Sequence, residues 1–384
     1  MSEGLWSPFS IPGDAPSPAL MSALTDPWAR SVVAMFLERR RASLPGDLTS
    51  LLERWVGRPE DGAFVWHPSL GLLHLSATSG VPAPVDCAAL AGAYILATGV
   101  EGGFDVELSA PQSILWDRLL LPPARRVRVA STATAATIEL DPGSSRSVGV
   151  ELVRTATGWA DVSRPAGEPD GVTILGSGSM SDDVSRRFDV LEEAPLVALD
   201  DGVTSTFRAA VAVLRDVAPD YLEWARRILT AVAVVSGEAH RVLSGSNKDV
   251  PGLVYISRPA HPTEIAEMLV HEASHQYFYL VTRAADVDDG TDQTIYWSGA
   301  ARAERSIDRI LLAYHAFANV LLFYERCAAR GLDEPVVRKN QRHIGRIVGD
   351  LDSCLRKTSA LTALGHGLYR PLAARLAPGS VPGG

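Results

Sequence analysis

Cysteine is scarce in this chain of 384 residues: Cys87, Cys327 and Cys354 are the whole set, and they lie far apart. An odd, scattered trio builds neither a disulfide framework nor a zinc ribbon, and a reducing, cytoplasmic setting is the expectation. Basic residues are also outnumbered, 36 Lys and Arg against 45 Asp and Glu, for a formal net charge of −9. No basic stretch stands out to neutralise phosphates, which argues against a general nucleic-acid binder. Long apolar runs are missing, since none approaches the roughly 20 residues that span a bilayer, so no membrane partner is expected. The opening MSEGLWSPFSIPGDAPSP has no basic stretch ahead of an apolar core, and no secretory signal is expected. Two ligand-binding patterns are incomplete. GSGSMS at 176–181 lacks the third glycine of a dinucleotide loop. Asp286, Asp288, Asp289 and Asp292 suggest a calcium loop, but Gly290 falls one place early and Trp297 takes the twelfth position. That stretch reads as a solvated loop that could serve as a lid.

What is present is a globular composition, 46% hydrophobic and 21% charged, in a chain long enough for two domains or one large one. Residues 1–24, rich in Pro, Ser and Gly near the start, are expected as a loose arm. Residues 25–200 should mix helix and sheet. WARSVVAMFLERRRASL, DLTSLLERWVG and CAALAGAYILATGV read helical, whereas ARRVRVASTATAATIEL, RSVGVELVRTATGWADV, GVTILGS and FDVLEEAPLVALDDG alternate and are broken by Gly, Pro and Asp. From about 203 the run through EAHRVL reads as one or two long helices. PGLVYISR follows as a strand, then helices over about 264–280, 299–330 and 334–358 and a short final piece. The class is α+β, with a β-rich middle and a mainly helical C-terminal region over 201–384 that would bind metal and carry catalysis.

Residues 271–275 read His-Glu-Ala-Ser-His. Two histidines four apart on a helix lie about 40° apart around its axis, so both imidazoles can reach one metal ion. Glu272 follows the first histidine and can sit beside an open coordination position. Ile265, Met268, Leu269, Phe278 and Leu280 surround the motif at helical spacing. Thr263 is the expected N-cap, and Glu264 and Glu267 fall in the first turns, where the helix dipole favours acids. The plainer reading, a partly exposed polar face, must explain three polar groups in an otherwise apolar segment. The other histidines, His67, His74, His240, His261, His343 and His366, have no spacing partner and read as ordinary surface or core residues.

A mononuclear site needs a third ligand. In the later helix Glu304, Asp308, His315 and Asn319 fall within about 60° of one another at 100° per residue. His315 and Glu304 are both candidates. Glu304-x-x-x-Asp308 has the form seen in glutamate-type zinc peptidases, and Asp308 could fix the tautomer of a ligand histidine. Its plainer role is a surface acid paired with Arg305 or Arg309.

PGLVYISR, EIAEMLVHEASHQYFYL and RILLAYHAFANVLLFYER, with His-Ala-Phe-Ala-Asn-Val the most telling run, make the chain resemble a bacterial family of HExxH-motif proteins. That family is found near ribosomally made peptide natural products and is understood as iron- and 2-oxoglutarate-dependent peptide β-hydroxylases. The likeness covers about residues 200–330. It implies iron(II) on His271, His275 and His315, with 2-oxoglutarate as co-substrate. It also implies a precursor peptide as the partner. YWSGAARAERS stands where the family has a tryptophan- and arginine-rich stretch, and Arg305 lies nearest the family's arginine, with Arg302 and Arg309 beside it. Iron(II) accepts imidazole and needs free adjacent positions for a bidentate 2-oxo acid and dioxygen. Zinc would use the same ligands in a peptidase, with Glu272 as general base. In a hydroxylase Glu272 would orient a ligand or a bound water. A third class is a non-catalytic, metal-stabilised peptide-binding partner of a maturase. The sequence leaves the oligomeric state open.

Overall fold

Alternation in the middle of the chain is what builds its largest sheet. The structure, a computed structural model, describes residues 3–13, 16–58, 64–79, 83–143, 146–156, 158–162, 172–177, 179, 194–237, 243–258, 260–332 and 334–377. His240 and much of the GSGSMS and FDVLEEA segments lie outside the described residues. The chain forms two compact units. A sheet unit comprises Met21–Thr204 with Leu229–Pro259, and a helical unit comprises Met1–Leu20, Ser205–Ile228 and Ala260–Gly384. The expected boundary at 200/201 therefore fails in one respect: residues 229–259 return to the sheet unit.

In the sheet unit, helices α1 (Pro18–Arg40, from Met21 on), α2 (Gly46–Gly57), α3 (Pro68–Thr78) and α4 (Pro84–Ala97) precede the strands. Strands β1 (Gly102–Gln112), β4 (Ala124–Ser131), β5 (Ala135–Asp141), β6 (Val148–Thr155) and β7 (Gly158–Asp161) pair antiparallel in that order. Between β1 and β4 lies the short hairpin of β2 (Leu115–Trp116) and β3 (Leu119–Leu120). Period-two alternation turns Val127, Val129, Ile138 and Leu140 inward. On the outer face Arg126 and Arg128 pair with Asp105 at 2.8 and 3.0 Å. The inward row shares one core with Phe36, Leu48, Leu51, Ile95 and Phe104. Each such side chain contributes about 1.5–3 kcal/mol by leaving water.

A second sheet runs β10 (Ser244–Ser246), β11 (Leu253–Arg258), β9 (Ala231–Ser236), β8 (Thr173–Leu175), with β8, β9 and β11 mutually parallel and β10 antiparallel. PGLVYISR is thus the strand expected of it. AVAVVS is not the continuation of a helix. It is β9, and the run of small and β-branched residues is buried on both faces. A continuous apolar run does not separate a buried strand from a buried helix by period alone. The turn into β11 needs Gly252: its φ is +73°, and a Cβ there would stand 2.7 Å from Thr230 Oγ1.

The helical unit contains α5 (Asp201–Val217, from Ser205 on), α6 (Pro219–Ile228), α7 (Pro262–Val281), α8 (Ile307–Ala329), α9 (Pro335–Leu355) and α10 (Ala363–Leu376). It also holds a small hairpin of β12 (Tyr296–Ser298) and β13 (Ala303–Arg305). α8 is long and apolar enough to cross a membrane by length and composition, and 67% of its apolar window is buried inside the protein. The loose arm expected over residues 1–24 is corrected. Residues 3–13 wind into two 3₁₀ turns in which Trp6 is 1% and Phe9 0% exposed, and α1 already begins at Pro18. Two aromatic anchors outweigh the loop-forming character of the Pro, Ser and Gly around them. Glu3 meets Arg370 at 2.6 Å, and Ser10 Oγ donates to the Leu368 carbonyl at 2.6 Å.

Candidate metal centre

The HExxH helix starts two residues earlier than the Thr263 expectation. His261 is the N-cap of α7: its Nδ1 accepts from the Thr263 N–H at 3.3 Å, and Glu264 accepts from the His261 N–H at 3.0 Å. Pro262 fills the first helical position, where no donor is needed. Further along the helix, the His271 and His275 rings lie 4.6 Å apart between centroids at an interplanar angle of 87°. Burial pushes the His271 pKa down to about 4. Burial also drives His275 well below its ordinary value, helped by His271 and His315. Both rings are therefore neutral at neutral pH, as metal ligands must be. The Nδ1 of His275 is buried without a hydrogen-bond partner among the described residues. Glu272, between them in sequence, is buried.

His315 is differently engaged. Its Nε2 is 3.0 Å from the Phe9 carbonyl oxygen, which can only accept, so the proton sits on Nε2. Four residues on, Asn319 donates to the Ser10 carbonyl at 2.9 Å and accepts from the Tyr221 hydroxyl at 2.9 Å. His315 and Asn319 together clamp two consecutive carbonyls of the N-terminal turn. The His315 ring packs near Trp224 and Phe278, with centroids 6.3 and 6.1 Å away. The α8 residue against His271 is Phe317, at 4.8 Å.

The third-ligand candidates are thus not gathered. Among the described residues, no group of three or more His, Cys, Asp or Glu side chains stands in a metal-holding arrangement. His271 and His275 fit a metal as a pair, through neutral rings and the partnerless Nδ1 of His275. His315 is not part of such a group here, although its Nε2 proton is given to Phe9 and its Nδ1, like that of His275, is buried without a hydrogen-bond partner among the described residues. Glu304 fails for another reason. The helix expected from about 299 begins at Ile307, and Glu304 lies exposed on β13, paired in register with Trp297. Asp308 does not orient a histidine: Ser306 donates to it, and Arg309 lies 3.6 Å away. Arg305 is an exposed residue of β13. The acidic loop turns its carboxylates on its own backbone. Asp288, Asp289 and Asp292 accept from the N–H groups of Gly290, Thr291 and Thr294, each at 2.9 Å.

Sequence reasoning missed one cluster. Glu267, one turn before His271, accepts from the Tyr324 hydroxyl of α8, and Asn340 of α9 donates to Tyr324 at 3.0 Å and to Glu267 at 3.3 Å. Burial, with Glu264 nearby, pushes the Glu267 carboxyl up to about 7 against the lowering effect of the Tyr324 bond. The signal was its spacing: Glu267, His271 and His275 fall at i, i+4 and i+8 on one stripe. No protein-family model matches this chain, and no curated protein matches it.

Proposed function

We propose that the helical unit is a metal-dependent enzyme unit in which His271 and His275 hold iron(II). The proposed reaction is the 2-oxoglutarate-dependent β-hydroxylation of a residue in a ribosomally made precursor peptide, in the cytoplasm. The observation that carries the metal part is the apposed, neutral His271–His275 pair with a partnerless Nδ1 on His275. The family resemblance of the motif-bearing stretches supports the choice of reaction. When bound, iron(II) would activate dioxygen, one oxygen atom going to the peptide and the other to succinate as the 2-oxo acid loses carbon dioxide. The chain's own share is to present two neutral imidazoles from one rigid helix, with Glu272 between them in sequence, buried and able to orient a ligand or a water. Phe317 covers one side of His271 and limits water there. The zinc-peptidase reading is the weaker one, because it needs Glu304 as a ligand and that residue is exposed on a hairpin.

The test is anaerobic reconstitution with iron(II), then addition of 2-oxoglutarate, dioxygen and a candidate precursor peptide. An intact peptide heavier by one oxygen atom, with succinate formed, is the expected result. Peptide cleavage by zinc-loaded protein, without oxygenated product under iron, would overturn the reaction. Metal binding with neither outcome would leave a non-catalytic metal-stabilised partner.

A further inference from the structure

The sheet unit contains a cavity of about 50 Å³ that plays no part in the histidine pair. It is walled by Pro68, Leu72, Leu90, Leu115, Leu175 and Leu253, and it is large enough for more than one water-sized group. A few polar side chains reach the same space. Gln112, at the end of β1, is 1% exposed, and its Nε2 has no hydrogen-bond partner among the described residues. It sits just past a slip in the β1–β4 register between Glu107 and Gln112, the kind of irregularity that re-aims a side chain. Ser69 is buried at the start of α3 and lies 2.7 Å from the Nδ1 of His67. The other ring nitrogen, Nε2, lies 3.2 Å from the Asp117 carbonyl, which can only accept, so the proton sits on Nε2 and Nδ1 takes the Ser69 hydroxyl proton. The lone pairs of Ser69 Oγ remain for a donor. The His67 ring is held in place by stacking on Tyr94 at 4.0 Å.

Among the described residues, no lining side chain carries a charge at neutral pH, since burial keeps His67 neutral. A partnerless amide donor is costly in a leucine-walled space, and a ligand carbonyl would relieve it. Ser69 offers the complementary acceptor. Apolar walls with a few fixed polar groups are the usual make-up of a small-molecule site.

We propose that the sheet unit binds a small neutral aliphatic amide, its hydrocarbon end among the leucines and its carbonyl on Gln112 Nε2. This site is independent of the metal reading. The probe is isovaleramide, titrated against the full chain and followed by saturation-transfer NMR, with isovalerate as the charged isostere. Isovaleramide should bind at least about tenfold more tightly than isovalerate, and Gln112→Leu should weaken it about tenfold by removing one hydrogen bond. Leu72→Phe should abolish binding by filling the space while leaving the polar wall in place. Equal binding of amide and acid to the wild-type chain would overturn the proposal, whatever the variants do. So would amide binding unchanged in both variants, or no amide binding at all, which would mean that water alone satisfies Gln112.

Discussion

The Nε2–H of His315 is given to the carbonyl oxygen of Phe9, 306 residues away in the chain, at 3.0 Å. This bond, with the Asn319–Ser10 bond beside it, ties α8 to the N-terminal turn that buries Trp6 and Phe9. His315→Ala removes a fully buried ring and one hydrogen bond. It should lower stability by about 2–4 kcal/mol, read from urea denaturation. It should also expose residues 3–13 to limited proteolysis, while the metal bound per folded chain stays the same. Loss of metal at unchanged stability would instead make His315 a ligand.

Glu267 makes the helical unit sensitive to pH from the alkaline side. Its carboxyl is pushed from an ordinary 4.5 up to about 7, so the folded state holds a proton there that the unfolded state releases. The favourable contribution is present below about pH 4.5 and is lost as pH rises toward about 7, to a total of up to about 3 kcal/mol. Glu267→Gln keeps an acceptor for Tyr324 and cannot ionise. The variant should match the wild type near pH 5 and exceed it at pH 8 in urea unfolding. Parallel stability profiles for the two proteins would show that Glu267 is not raised.

The elements that were legible in the sequence are those with a clean period. Val127, Val129, Ile138 and Leu140 alternate and form the sheet, and the apolar spacing around His271 gave a helix within two residues of Pro262–Val281. AVAVVS was not legible, because a run buried on both faces carries no period. The Glu304–His315 stripe assumed helix from residue 299, but Ser306 caps α8 and a hairpin precedes it, so Glu304 and Arg305 left the stripe. His315 and Asn319 looked like site residues because buried polar groups in an apolar helix demand partners. Their partners include the Phe9 and Ser10 carbonyls at the other end of the chain, which no local pattern encodes. Gln112 gave no signal at all, since its burial follows from where β1 ends against the neighbouring elements.

Acid should test the sheet unit through His67. Burial pushes its pKa down to about 3, against an ordinary value of 6.5. Unfolding then takes up a proton between those values, so stability is fully present above about pH 6.5 and falls as pH drops toward about 3. His67→Asn keeps a cap oxygen for the Ser69 N–H and has no titration in that range. The wild type should lose up to about 3 kcal/mol more than the variant between about pH 6.5 and about pH 4. Identical acid-unfolding midpoints, followed by circular dichroism, would contradict this.

The histidine pair is tested most directly by a spectroscopic metal. Cobalt(II) accepts the same imidazoles as iron or zinc, and its visible bands report the number and geometry of its ligands. Wild-type protein should take up one cobalt ion per chain. His271→Ala and His275→Ala should each lose most of that binding, about tenfold or more in affinity, because a single imidazole from a helix cannot hold the ion. Stability in the absence of metal should change little or rise in His275→Ala, since the change removes a buried nitrogen that has no partner. Glu304→Ala and Arg305→Ala, both on the exposed hairpin, should leave cobalt binding and stability within about 0.5 kcal/mol of the wild type. The pair also predisposes the site to proton competition. With His271 at about 4, metal should stay bound down to about pH 5, well below the range where exposed histidines release it. Cobalt retained at full stoichiometry in the His271→Ala, His275→Ala double variant would remove the pair from any metal site.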